Sequence, residues 1–214
     1  MKNRFLGAAL AALLSTSAIA QVNFVPQAGV TAGYYAKQTY SSAFFGLVPV
    51  TGATDVVCIA GSASKVVRVT DIKLGGTVAT AAITFPINIV RRVLVDTAGT
   101  AASTTANPGT ATQIASRDSG QGLNTSSTAT LISYTANPTI NDTAPVYIDS
   151  APLSLNLTSV GASAVEDFNF GFLNEDNIQS PTLRGITQQI CVNFNGVTLA
   201  NAVALNGVIT WTEE

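Results

Sequence analysis

The sequence is poor in the side chains that carry most enzyme chemistry. It has no histidine and two cysteines in 214 residues. A Ser-His-Asp or Cys-His system uses an imidazole as its general base, so both are excluded. A zinc site of the usual kind draws on several cysteines or histidines at close spacing, and none is present. No Gly-rich loop follows a strand and opens a helix, which removes the common phosphate cradle. Carboxylates are what is left. Glycoside hydrolysis needs two of them about 5–10 Å apart across a cleft. Glu166-Asp167 and Glu175-Asp176 are the available pairs, but adjacent residues on a strand face opposite sides, so neither pair converges by itself. Asn174-Glu175-Asp176-Asn177 is oxygen-rich, as calcium loops are, and reads more simply as a polar turn after Phe172. The expectation is a non-enzymatic chain with no catalytic residue, no cofactor and no metal.

Cys58 and Cys191 are the remaining reactive pair. An even cysteine count in an exported chain suggests one disulfide. It would close a loop of more than a hundred residues, a constraint that chain-entropy arguments value at about 4–5 kcal/mol. The alternative is two separate thiols in apolar strands. Cys191 is opposite in parity to Ile190, Val192 and Phe194, so it points away from the core those residues define. Cys58 sits among apolar neighbours of both parities, which leaves its direction open. A bond requires the two strands to be neighbours, with both cysteines on the outer face.

The elements that must position these residues are strands. Val56–Ala60 is a short apolar run, Gly61-Ser62-Ala63-Ser64 a turn, and Lys65–Leu74 a strand ended by Gly75-Gly76. Ile83, Phe85, Ile87, Ile89, Val93 and Val95 share one parity, interrupted by Arg91. Pro86 falls on the other parity, which favours an edge or a bulge. Strand pattern resumes at Thr128–Thr135 and ends at Asn137-Pro138. Then come Leu153, Leu155 and Leu157; Phe168, Phe170 and Phe172; and Ile186, Ile190, Val192 and Phe194. Asn195-Gly196 is a hairpin-type turn signal before Val203, Leu205, Ile209 and Trp211. No amphipathic helix follows the N-terminus. The fold expected is all-β: a single antiparallel sandwich, jelly-roll-like, of about eight strands, after an N-terminal signal-like helix.

Three segments follow from composition. Residues 1–20 carry Lys2 and Arg4, an apolar run Phe5–Leu14 and a small-residue site Ala18-Ile19-Ala20, the pattern of a cleaved secretory signal. The apolar run is shorter than the roughly 20 residues of a membrane span, so no stable span is expected. Residues 21–52 form an arm that concentrates Tyr34, Tyr35, Tyr40, Phe44 and Phe45. Aromatics outside a core often pack on a neighbour, which makes these five candidate assembly contacts; an extra edge strand on the chain's own domain is the alternative. Residues 53–214 form the sandwich domain, with a long Thr/Ala/Ser-rich loop over 97–127. Charged residues make up 10% of the chain, against about 25% in a typical soluble domain. With net charge −2 and no basic run, phosphate neutralisation is not on offer and no nucleic-acid partner is expected. A polar but nearly uncharged surface suits packing against identical neighbours, since few charges need desolvating. The partner expected is the chain itself or a larger protein assembly.

Four segments carry a resemblance: Thr54–Val69 (TDVVCIAGSASKVVRV), Thr128–Thr139 (TATLISYTANPT), Gln189–Thr198 (QICVNFNGVT) and Ile209–Glu214 (ITWTEE). Together they resemble a group of small tailed-phage proteins regarded as virion-associated structural components. The resemblance covers about residues 54–214. It implies a β-sandwich that decorates a particle or forms part of a fibre, with no catalytic residues. The signal-like N-terminus departs from that group, because virions assemble in the cytoplasm. Two locations follow as expectations: export to the periplasm or exterior as a surface array, or a virion. A secreted module binding a glycan or another surface ligand is the alternative function.

Overall fold

The structure is a computed structural model that describes residues 38–97, 127–142, 144–159, 165–170, 180–199 and 203–214. All lie in the unit Ala36–Glu214. The signal-like segment, Tyr34, Tyr35, Phe172, Glu175-Asp176 and most of the 97–127 loop fall outside the described residues.

Alternating apolar residues make ten strands, with no helix among the described residues. They are β1 (Gln38–Leu47), β2 (Ala53–Ala60), β3 (Val66–Val78), β4 (Ile83–Arg92), β5 (Thr130–Ser133), β6 (Val146–Leu157), β7 (Glu166–Asn169), β8 (Thr182–Arg184), β9 (Gln189–Val197) and β10 (Val203–Glu213). They form one mixed, nearly closed sheet in the order β1-β10-β3-β6-β4-β9-β2-β5. The pairing is not wholly antiparallel. The end of β6 leaves β4 and runs parallel to β3 at Thr77–Asn156 and Val78–Leu157, joining the two halves of the sheet. The far edge of β3 is served in turn by β8, β7 and this end of β6, which is why β7 and β8 are short.

The inner faces of both halves share one core. Leu153 and Leu155 on β6, Phe85, Ile87 and Ile89 on β4, and Ile190, Val192 and Phe194 on β9 face Ile72 and Leu74 on β3 and Leu205, Ile209 and Trp211 on β10. Phe85 and Phe194 meet edge to face with ring centres 4.9 Å apart, and Tyr40 stacks on Trp211 at 6.0 Å. Phe168 and Phe170 are buried in the same core.

Several local expectations change. The arm aromatics Tyr40 and Phe44 are not held out for a neighbour: they share the inward parity of β1 and are buried in the chain's own core, while Phe45, one residue on, is 66% exposed. Gly75-Gly76 does not end β3. A Cβ at Gly76 would lie 2.3 Å from the Ala204 carbonyl oxygen, so the glycine permits close approach of β10 rather than a turn. Gly207 works similarly, since a Cβ there would come within 2.5 Å of the Phe44 ring. Asn195-Gly196 does not reverse the chain. Both residues have positive φ (53° and 72°) and form a bulge within β9, which goes on to pair Val197 with Ala53. Ile186 is not a core residue. It falls between β8 and β9 and is 60% exposed. The β4 alternation stops short of Val93 because the strand ends at Arg92; Val90 and Arg92, opposite in parity to Phe85, Ile87 and Ile89, lie on the other face of the sheet.

Candidate functional site

Sequence reasoning gave no catalytic residue; the unusual chemistry of the described residues lies behind the sheet. On the outer face of the β4–β9–β2 region, β9 and β2 are neighbours and Cys191 pairs directly with Cys58. Their Cα atoms are 4.1 Å apart and the two sulfurs form a disulfide. Val90, Tyr134 and Ile132 pack around it as a second small cluster, separate from the main core. Two connecting segments, residues 93–97 and 134–142, lie over this face. They hold each other through a Thr97–Thr139 bridge, a bond from Asn141 Nδ2 to the Val95 carbonyl (2.8 Å), and one from the Val93 amide to Asp142 Oδ2 (2.9 Å).

Buried under these segments is a polar network. Asp55 accepts hydrogen bonds from Arg92 Nε, from Arg92 Nη2 at 2.9 Å and from Asn193 Nδ2. Asp55, Arg92 and Asn193 are all buried, with the Arg92 side chain only 3% exposed. This is a bidentate guanidinium–carboxylate pair, the strong form of a charge-assisted bond. Asp96 Oδ1 lies 3.9 Å from Arg92 Nε, and Asp96 Oδ2 lies 4.0 Å from Cys58 Sγ. Burial, with Asp55 close by as hydrogen-bond partner and like charge, pushes the Asp96 carboxyl up to about 7. Burial also pushes the Tyr134 hydroxyl up to about 12. One guanidinium therefore faces more than one carboxyl group, and Asp96 keeps its proton through most of the acidic range. The fully buried Gln189 side chain lies near Asp96 and partly offsets the rise in its pKa, but no close, well-aligned hydrogen bond reaches the Gln189 side-chain amide or Asp96 Oδ1, so the network is loosely satisfied. Atoms of Asp55, Cys58, Asp96 and Cys191 all lie within 4.8 Å of one another. That is metal-ligand spacing, but the sulfurs are bonded to each other and Arg92 already supplies positive charge there. The arrangement holds a buried ion pair and clamps the covering segments.

Of these residues, sequence reasoning singled out the cysteines alone. The signal for the rest was a charged residue inside an apolar run: Asp55 before Val56-Val57, and Arg92 after Ile89-Val90. In a chain with so few charges, both are conspicuous.

Two further carboxylate groups stand elsewhere. Glu213, at the end of β10, is buried and accepts from Ser127 Oγ (2.6 Å), Thr128 Oγ1 (2.8 Å), the Thr128 and Ala129 amides and Trp211 Nε1. It pins the chain entering β5 to the end of the sheet. Burial alone would raise its pKa, but the bonds from Ser127, Thr128 and Ala129 outweigh that and hold it below the usual value. A depressed carboxylate contributes stability above its unfolded pKa and loses it as pH falls through the folded value. Glu213→Gln is expected to cost about 1.5–3 kcal/mol at neutral pH, the worth of bonds to a charged group. The deficit should shrink as the wild type is acidified below about 4.5; urea unfolding of both proteins across that range checks it, and a pH-independent difference would be the contrary result. On the outer face of β3 and β7, Lys73 Nζ lies 2.6 Å from Asp167 and 3.6 Å from Asp71. Burial and then Asp167 push Asp71 up to about 6, while Asp167, bonded to Asp71 and Lys73, is lowered. Of the two sequence pairs, Glu166-Asp167 therefore engages β3 through Asp167, and Glu175-Asp176 lies outside the described residues.

Beside Lys73 runs an apolar cavity of about 390 Å³ across β1, β10 and β3, with Phe45 and Val165 among its lining residues and Gly75 between strands that carry side chains. A second cavity, about 290 Å³ and more polar, opens on the disulfide side and is lined by Arg92, Asp142, Asn193, Asn195 and Tyr147. Compared with known proteins, the chain matches no protein-family model and no curated sequence.

Proposed function

We propose that this chain is a non-enzymatic structural protein that assembles with copies of itself or into a larger protein array, extracellular or virion-like. Its bent sheet is read as a jelly-roll-like sandwich in which β6 crosses between layers. The observation that carries the reading is the apolar cavity on the outer face of β1, β10 and β3. Phe45 and Val165, both over 60% exposed, flank it on a chain with 10% charged residues. Contiguous exposed apolar surface rimmed by polar groups marks protein contacts in soluble chains. A surface with few charges lowers the desolvation cost of such a contact.

Substituting Val165→Lys together with Val208→Lys puts two charges into that face without touching the core. The wild-type chain is expected to scatter light as a discrete multimer or larger assembly, and the double variant as a monomer. A variant mass equal to that of a multimeric wild type would move the contact elsewhere; a monomeric wild type would end the reading.

A further inference from the structure

The more polar cavity has features that the assembly reading does not use. Tyr147 on β6 presents a ring that is 60% exposed at its rim. Arg92, whose side chain is almost wholly buried, lines the same cavity. Its Nε and Nη2 are committed to Asp55, which leaves Nη1 as the nitrogen not bound there. Asp142 is fixed by the Val93 and Ala144 amides, which leaves its oxygens further accepting capacity. Asn195 is held with positive φ by the bulge in β9, and its backbone amide is bonded to Asn193 Oδ1 at 2.8 Å, so its side chain is presented from a fixed backbone. Strands β4, β6 and β9 and the connecting segment that ends at Asp142 thus hold an aromatic face, a guanidinium, a carboxylate and an amide around one concavity of about 290 Å³.

Charge decides which ligand class fits. An anion reaching Arg92 would meet Asp55 and Asp142, which already oppose its charge. A cation reaching Asp142 would meet the guanidinium. A neutral polyhydroxyl compound avoids both conflicts, because each hydroxyl can accept from Arg92 and donate to Asp142 or Asn195. A ring with an apolar face can also lie on Tyr147. The volume of about 290 Å³ falls just below the roughly 300–1,000 Å³ of small-molecule sites, which suits one sugar unit rather than a longer chain. We infer that the cavity bounded by Tyr147, Arg92, Asp142 and Asn195 is a binding site for a neutral sugar residue of a glycan. The inference stands apart from the assembly reading, since it concerns the opposite outer face of the sheet.

Amide NMR of the full chain tests it, with glucose, galactose, mannose and N-acetylglucosamine titrated separately and sodium sulfate in parallel. At least one sugar is expected to give saturable shifts at the amides of Tyr147, Asn193 and Asn195. Tyr147→Ala should weaken that binding by about tenfold, as loss of an aromatic anchor does, and Tyr147→Phe should preserve it. The substituted side chain is exposed, so the fold is not at stake in either variant. No saturable shift with any of the four sugars overturns the inference. So does tighter binding of sulfate at the same amides, or an unchanged affinity in Tyr147→Ala.

Discussion

Replacing the disulfide by Cys58→Ala with Cys191→Ala is expected to lower the unfolding free energy by about 4–5 kcal/mol. The two residues are 133 apart in sequence, so the bond closes most of the described fold into one loop and withdraws that freedom from the unfolded chain. The partners are held independently of the bond: β2 and β9 pair over much of their length, and Cys58 faces Cys191 directly. The native state therefore needs little rearrangement when the bond is removed, and the effect falls on the unfolded state. Urea unfolding checks this through a lower midpoint and a larger m value, since the unbridged unfolded chain exposes more surface. The same shift should follow a dithiol reductant acting on the wild-type protein. A loss under about 1 kcal/mol would mean that the unfolded chain is already compact enough to keep the two strands together.

Asp55→Ala is expected to cost about 3–5 kcal/mol, because it leaves the Arg92 guanidinium buried without its bidentate partner. Asn193 loses its acceptor in the same step. The cause is the stranded charge rather than the intrinsic worth of the pair, and a double variant separates the two. Asp55→Val with Arg92→Met removes both charges and stays close to the original volume, so it should recover most of the loss. Recovery of nothing would show that the geometry of the pair itself, through the segments it clamps, carries the stability. A single variant that loses under about 1 kcal/mol would mean that water reaches the guanidinium.

Much of the strand framework was legible in the sequence because burial on one face imposes period two. Phe85-Ile87-Ile89, Leu153-Leu155, Ile190-Val192-Phe194 and Leu205-Ile209-Trp211 all face the common core. The same rule turned Cys191 away from it. What period two cannot register is a bulge. Ile148 is an extra residue in β6 opposite Ile89/Val90, while β4 keeps its own alternation and simply stops at Arg92, before Val93. The positive-φ pair Asn195-Gly196 carries the signal of a hairpin but is used as a bulge, since β9 continues beyond it to pair with Ala53. The polar network was illegible for another reason. Asp55 is separated from Arg92 by 37 residues and from Asn193 by 138, so only the strand order brings them together. Tyr40 and Phe44 looked available for a neighbour because the arm containing them has little pattern on either side. Its pairing with β10 supplies the inward face the sequence did not announce.

The assembly reading rests on apolar contact in a chain of low charge, and this predicts how association responds to salt. Ion pairs between copies would be screened and weakened as ionic strength rises, whereas apolar contacts hold or strengthen in salts excluded from protein surfaces. Sedimentation velocity of the full chain at physiological ionic strength and in high sodium sulfate is therefore the most direct measurement. The account predicts a species larger than one chain in both, with an equal or greater share in sulfate. A single species of one chain's mass, about 21.9 kDa, at every concentration and in both salts would contradict it.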